Sequence, residues 1–156
     1  MGSEYKILSF DQALNCGYAI GNKGKVVSYG VLTSKEKEFD YAVSDIKKQI
    51  VKIIAKEKPM IVTIEAVHHG FSVDTTKKLS RLQGVLINYF IENQILFEII
   101  SPSSWQGNEG FKGKKKKLQS YTKAVLEFND ESITEDMADA IWMCKYAMEK
   151  INIVKA

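Results

Sequence analysis

Two spacings of apolar residues run along the chain, and they predict where its strands and helices lie. Short, nearly continuous apolar runs that end at glycine, proline or polar turns are typical of buried strands. Five such runs occur, at 5–10, 16–21, 25–32, 60–65 and 95–100. The turn at 21–24, between the second and third runs, carries two glycines and favours a hairpin.

Longer segments repeat their apolar residues every three to four positions and predict helices. These segments are 39–56, 76–92, 115–128 and 134–151, and Pro102 opens a short helical turn that ends at Trp105. The segment 106–113 holds three glycines and is predicted to be a loop. Hairpin-linked strands followed by alternating strands and helices indicate the α/β class. We expect one domain over 1–156, with a five-stranded mixed sheet and helices on both faces.

The last two helices allow finer predictions. Ser132 followed by Glu135 three residues later predicts a capping box before the final helix. Trp105 and Trp142 are expected to be core aromatics. The core face of the helix 115–128 is predicted to consist of Leu118, Tyr121, Val125 and Leu126.

Composition narrows the class of protein. Of the 156 residues 45% are hydrophobic and 26% charged, as in an ordinary soluble domain, and the net charge is only +3. Cys16 and Cys144 lie in apolar surroundings and are predicted to be buried free thiols. The sequence shows no signal peptide and no membrane-length apolar run, so we expect a cytoplasmic protein without a membrane partner. Residues 1–3 are compatible with a cloning remnant.

Four acidic residues stand where a structural role explains them poorly. Asp11 and Glu65 end two apolar strands, and Asp136 and Asp139 lie three apart, on one face of the last helix. Carboxylates gathered in a low-dielectric site repel one another, and a divalent cation relieves that repulsion. Oxygen ligands favour Mg²⁺, with Mn²⁺ as a substitute, which suggests a metal-dependent nuclease. The alternatives are a loop cap for Asp11, a paired buried acid for Glu65, and helix-terminus charges for Asp136 and Asp139.

The basic residues are concentrated at one place. Among the 22 lysine and arginine residues only Arg81 is an arginine, and five lysines lie between 112 and 117. Positive charge at a helix N-terminus opposes the helix dipole, which is easier to understand if these side chains meet phosphate. A solvated charge run is the alternative. The predicted contacts to DNA are made by Lys112, Lys114, Lys115, Lys116 and Lys117.

The order and spacing of several motifs make the chain resemble the RuvC-type Holliday junction resolvases, in the ribonuclease H-like superfamily. The resemblance runs from about residue 5 to 151, and the short, lysine-rich chain looks more like a phage version, which would act in the cytoplasm of a bacterial host. The motifs are SFDQALNCGYAI, IVTIEAV, KKLSRLQGVLINYF, SPSSWQ and EDMADAIWM.

The resemblance implies roles for particular residues. Asp11 would bridge two metal ions, with Glu65, Asp136 and Asp139 completing their coordination, and Lys116 or Lys117 would lie near the scissile phosphate. The ions would serve hydrolysis of a phosphodiester that leaves 5′-phosphate and 3′-hydroxyl ends. In resolvases of this type the loop after Glu65 meets the junction centre. The residues of this loop that would contact DNA here are His68, His69 and Phe71.

The resemblance also implies a homodimer that places paired nicks on opposed strands of a four-way junction. The helix 76–92 carries more apolar residues than one buried face needs, and three of them are candidates for the subunit contact: Leu86, Tyr89 and Phe90.

The chain departs from the family pattern in elements that read the substrate. Gln12-Ala13-Leu14-Asn15 replaces the expected glycine-bearing turn, and histidine stands where an aromatic is expected after Glu65. We therefore expect broad action on branched DNA. Three alternatives remain: a nuclease acting on RNA–DNA hybrids, an actin-like nucleotide-binding fragment, and a junction-binding protein with a degenerate site. The nucleotide-binding fragment would need phosphate-binding glycine turns and about twice this length.

Overall fold

The computed structural model of the protein describes residues 6–67 and 72–155, with side chains described as far as 150. Its elements follow the predicted order. They are β1 (Ile7–Asp11), β2 (Cys16–Asn22), β3 (Lys25–Leu32), α1 (Phe39–Glu57), β4 (Ile61–Glu65), α2 (Val73–Glu92), β5 (Phe97–Ile100), α3 (Pro102–Glu109), α4 (Lys116–Phe128) and α5 (Glu135–Lys155).

The five strands form one mixed sheet in the order β3-β2-β1-β4-β5. The meander β1-β2-β3 is antiparallel, whereas β4 runs parallel to β1 and β5 runs parallel to β4. The first and fourth strands along the chain are therefore parallel neighbours at the centre of the sheet. Ser9 pairs with Thr63 in the β1/β4 register, and their buried hydroxyls lie 2.6 Å apart. The strands β1 and β4 consequently end at the same edge of the sheet.

Helices cover both faces of the sheet, as predicted. On one face Leu8, Phe10, Val62 and Ile64 pack against residues of α1 and α2. On the other face Ile7 and Ile61 pack against residues of α3, α4 and α5, among them Trp105 and Trp142, which are confirmed as core aromatics. Successive strand residues alternate between these two layers because side chains of a β-strand point to opposite faces. Burial on both sides explains why β1 and β4 are apolar almost throughout.

The free thiols are also where the sequence placed them. Cys16 and Cys144 are both buried and free. Within the part of the chain that the structure describes, no helix combines the length and apolar character that a membrane crossing needs.

The predicted loop 106–113 is partly wrong, because α3 continues to Glu109. Gly110 ends the helix with φ of 78°, in the left-handed region that favours glycine at a helix C-terminus. Gly107 lies inside the helix, where glycine only weakens helical preference. Glycine content therefore exaggerated the length of the loop.

The predicted capping box is wrong as well. The Ser132 hydroxyl donates to Asp130 Oδ1 at 2.6 Å, and the backbone N–H of Met137 donates to Thr134 Oγ1 at 3.3 Å. Thr134 thus caps α5, two residues later than predicted.

The predicted faces of α2 and α4 need correction too. Leu86 and Phe90 are fully buried in the core, so they cannot form a subunit contact, and only Tyr89 remains half-exposed. Leu118 and Leu126 are 55% and 75% exposed, whereas the buried residues of α4 are Ser120 and Ala124. Small residues let α4 approach α5 closely, which turns the larger leucines away from the contact.

Candidate active site

A cleft of about 670 Å³ opens at the carboxyl ends of β1 and β4. Ligands of open α/β sheets bind at this edge. All six residues predicted to be catalytic line the cleft: Asp11, Glu65, Asp136, Asp139, Lys116 and Lys117.

Two of the acids are placed by the sheet itself. Asp11 is the last residue of β1 and Glu65 the last residue of β4, one step beyond the paired residues Phe10 and Ile64. The Gln83 side chain donates from Nε2 to the backbone oxygen of Glu65 at 3.0 Å and ties this strand end to α2. The parallel register therefore brings two carboxylates side by side without any contribution from a loop.

Asp136 reaches the same edge through a close approach of α5 to the sheet. Gly17 on β2 pairs with Asp11 on β1, and a Cβ added at Gly17 would lie 2.0 Å from the backbone oxygen of Asp136. Any side chain at this position would push the first turn of α5 away from the strand ends. The sequence showed Gly17 only as a residue of a short strand, and its role needed the three-dimensional contact.

Asp139 is held by two residues of α4. Lys117 Nζ donates to Asp139 Oδ2 at 3.0 Å, and Ser120 Oγ donates to Asp139 Oδ1 at 3.0 Å. Asp139 is only 4% exposed and Ser120 only 1%. Sequence reasoning missed Ser120, although a serine in the middle of an amphipathic helix was a visible signal.

The acids shift one another's protonation equilibria. Burial raises the pKa of Asp11 well above its ordinary value, and the neighbouring charges of Glu65, Asp139 and Asp136 raise it further. Burial is also the largest cause of the raised pKa of Glu65. The pKa values of Asp136 and Asp139 are raised by burial too, although Lys117 opposes the shift in both. Within the described ranges the carboxylates of the cleft thus carry more charge than its lysines neutralise.

Lys117 is the cation most closely involved with these acids. Burial alone would lower its pKa, but the charge of Asp139 and the hydrogen bond to it outweigh burial and raise the pKa. Asp11 and Glu65 add to the effect. Lys116 lines the same cleft but makes no ion pair among the described residues.

The donor set fits a hard divalent cation. All four acids offer oxygen, as Mg²⁺ and Mn²⁺ prefer. Glu65 Oε2 is buried and has no hydrogen-bond partner within the described ranges, so a cation would satisfy an acceptor that is otherwise left unpaired. Among described residues no three acidic, histidine or cysteine side chains are already close enough to hold one ion. Asp139 is turned toward α4 by its contacts there.

Three of the remaining predicted DNA contacts lie outside the cleft wall. Lys112, Lys114 and Lys115 are exposed and precede α4. His68, His69 and Phe71 lie outside the described residues, so their predicted contacts stay predictions.

Comparison with known proteins agrees with this architecture. The family model described as crossover junction endodeoxyribonuclease RuvC matches residues 7–145. The RuvC of Fusobacterium nucleatum is 27% identical over 143 residues, which cover 90% of this chain and 70% of that protein.

Two solved structures share the fold. T. thermophilus RuvC in complex with a Holliday junction substrate superposes with a TM-score of 0.76 at 14% identity, covering 97% of this chain and 98% of the other. The Fowlpox virus resolvase in complex with Holliday junction DNA superposes with a TM-score of 0.64 at 17% identity, covering 94% and 98%. The five-stranded mixed sheet is thus the ribonuclease H-like fold that the sequence predicted.

The family model covers all four acids, both lysines of the cleft and every strand of the sheet. Members of the family are endonucleases that depend on divalent metal ions in general. The chain therefore belongs to the RuvC family of crossover junction endodeoxyribonucleases.

Proposed function

We propose that the protein is a Mg²⁺-dependent endonuclease that resolves Holliday junctions and other branched DNA by paired nicks. The observation that carries the proposal is the convergence of four carboxylates and Lys117 in one cleft at the carboxyl ends of β1 and β4. Such a site has too little positive charge of its own. It is therefore suited to bind cations, which in turn would bind an anionic substrate.

The positions of the four acids suit them to bind metal ions together. Asp11 and Glu65, fixed on adjacent strand ends, and Asp136 and Asp139, fixed on one face of α5, would hold two Mg²⁺ ions, with Mn²⁺ as a substitute. When bound, the ions supply Lewis acidity toward the phosphodiester and its attacking water. Asp11 is central because its pKa responds to all three of the other carboxylates.

Lys117 supports cleavage and the lysines before it support binding. The ammonium of Lys117 lies against Asp139, so we assign the role near the scissile phosphate to Lys117 rather than Lys116. Lys112, Lys114 and Lys115 are exposed at the start of α4, where they would neutralise phosphates farther along the DNA. His68, His69 and Phe71 would meet opened bases at the junction centre.

A homodimer would match the two-fold symmetry of a four-way junction. With Leu86 and Phe90 in the core, the contact is better assigned to exposed apolar residues near them in the chain, Ile91, Leu96 and Ile99. The lysine-rich composition supports a phage-encoded resolvase acting in the cytoplasm of a bacterial host.

The test compares a synthetic four-way junction with a linear duplex of matched sequence. The wild type with Mg²⁺ should place symmetric nicks in the junction and leave the duplex intact. Asp11→Asn keeps the side-chain volume but removes one charge, and it should lower cleavage by more than about a hundredfold, since loss of outer-shell support alone costs 10–100-fold. Binding of the junction, measured by gel shift, should persist.

Asp45→Asn is the matched control because Asp45 lies on α1, away from the cleft. It should cut like the wild type. Junction binding without cleavage by the wild type would contradict the endonuclease assignment, and equal cutting of the linear duplex would contradict structure selectivity. Faster cutting of an RNA–DNA hybrid would favour the hybrid nuclease instead.

A further inference from the structure

Ser120 is a buried residue whose hydroxyl contacts a proposed metal ligand, although Ser120 itself does not line the cleft. Its Oγ donates to Asp139 Oδ1 at 3.0 Å, and its backbone oxygen accepts from Trp142 Nε1 at 2.9 Å. Asp139 and Trp142 lie three apart on α5, so both contacts join the same faces of the two helices. Ser120 is thereby tied to α5 through its side chain and its backbone.

The surroundings of Trp142 hold this part of α4 in place. Trp142 is fully buried, and the ammonium groups of Lys123 and Lys145 lie 5.1 and 5.4 Å from its ring centroid. Both lysines also form ion pairs with Glu109 at the end of α3. α3, α4 and α5 therefore meet next to Ser120, and these contacts fix the position from which its hydroxyl donates to Asp139.

The two residues that donate hydrogen bonds to Asp139 differ in whether their side chains can move away from it. The Lys117 side chain is 59% exposed and can swing toward solvent or toward a phosphate when a cation arrives. Ser120 is 1% exposed and has no such alternative. When Lys117 is exchanged for a cation at Oδ2, Ser120 still holds Oδ1.

We infer that Ser120 is a positioning residue that orients Asp139 for divalent cations by fixing one carboxylate oxygen and leaving the other to the cleft. This rests on the proposed function, in which Asp139 is a metal ligand. Hydrogen bonds from outer-shell groups orient metal ligands, and their loss typically weakens metal affinity or activity 10–100-fold. Lys117 cannot substitute for Ser120, because it contacts the other carboxylate oxygen.

The test measures Mn²⁺ binding to the full-length protein by electron paramagnetic resonance of the free ion, in the absence of DNA. Ser120→Ala should weaken Mn²⁺ binding about tenfold and raise the Mn²⁺ concentration needed for junction cleavage, with junction affinity unchanged. Thr122→Ala, an exposed change on the same helix, is the matched control and should bind Mn²⁺ like the wild type. The melting temperature of each metal-free variant separates loss of folding from loss of orientation.

A second variant shows whether the hydroxyl acts through Asp139. In an Asp139→Asn background, adding Ser120→Ala should change Mn²⁺ affinity less than twofold, since the group to be oriented has changed. Unchanged Mn²⁺ affinity in Ser120→Ala alone would overturn the inference, whatever the double variant shows. An equal tenfold loss in both backgrounds would also overturn it. Wild-type Mn²⁺ affinity in Asp139→Asn would instead contradict the metal-ligand role of Asp139 in the proposed function.

Discussion

Two groups of carboxylates and lysines both include residues of α4 and α5, and their charge balance differs. In the cleft lie Asp11, Glu65, Asp136 and Asp139, and among the described residues the lysine ion-paired there is Lys117, with Asp139. The second group, here called the Glu109 cluster, consists of Glu109, Lys123 and Lys145. Lys123 lies 2.6 Å and Lys145 3.0 Å from the Glu109 carboxylate, whose side chain is 3% exposed.

The pKa values report this difference. Burial raises the pKa of Glu109, but the hydrogen bonds from Lys123 and Lys145 outweigh burial and hold it below its ordinary value. In the cleft, burial raises the pKa of Asp11 and Glu65, and repulsion by Asp139 and Asp136 adds to both shifts, although the hydrogen bond with Asp11 opposes the shift of Glu65. A buried acid with two ion-paired lysines is a satisfied structural contact, whereas four acids with one ion-paired lysine among the described residues favour a bound cation. Proximity of acids and bases alone does not identify the functional site; the uncompensated charge does.

The largest expected effect comes from Glu65→Gln in the cleft. It should lower the rate of junction cleavage more than about a hundredfold, because it removes a proposed metal ligand. It should also raise the melting temperature of the metal-free protein by a few degrees, since about 1 kcal/mol corresponds to roughly 2–4 °C in a domain of this size. Cleavage assays and calorimetry with a chelator check both outcomes. A lower melting temperature would show that the cleft is as well compensated as the Glu109 cluster.

The same chemical change in the Glu109 cluster should have the opposite effect on stability. Glu109→Gln leaves two lysines without their charged acceptor. The free energy of unfolding should fall by about 1–3 kcal/mol, toward the lower end of this range because both lysines are partly exposed and water screens the lost ion pairs. Cleavage per folded molecule should stay near the wild-type rate. Chemical denaturation and an active-site-normalised assay provide the measurement. Increased stability would contradict the assignment of this cluster as structural.

The smallest expected effect is a pH dependence of stability in the metal-free protein. Asp11 and Glu65 have raised pKa values in the folded state, so folding takes up protons and their contribution is most favourable in acid. This contribution is present below the ordinary carboxyl pKa and is lost as the pH rises through the raised values.

Melting curves with a chelator, from about pH 4 to neutrality, check this sign. The wild type should lose stability with rising pH relative to Glu65→Gln, by a few degrees at most. Glu109 contributes in the other direction, because its pKa is lowered and its stabilisation disappears as the pH falls. Parallel curves for the wild type and Glu65→Gln would mean that Glu65 is not uncompensated in the folded state.

The strands and the acids at their ends were predictable because the signal is local. A buried strand needs several apolar residues in succession, so an acid at the end of such a run, as at Asp11 and Glu65, stands out. Spacing along a helix likewise placed Asp136 and Asp139 on one face. These patterns were sufficient to predict a mixed sheet and the four carboxylates that line the cleft.

The errors concern features that depend on a partner element. Leu118 and Leu126 were assigned to the core because they are apolar, but the contact face of α4 is set by the small residues Ser120 and Ala124. Leu86 and Phe90 looked like surplus apolar residues because the depth of the core beneath α2 is invisible in one helix. Helix periodicity predicts that an apolar face exists, but it does not predict which neighbouring element packs against that face or how closely.

The fold class, the family resemblance and the four acids could be predicted, since each follows from the order of residues along the chain. How those acids are held depends on contacts that form only in the folded protein. Gly17 gives α5 room beside β2, and Ser120 and Lys117 divide the two oxygens of Asp139. These contacts join residues far apart in sequence, and their energies depend on distances of a few ångströms that the packing of whole elements sets.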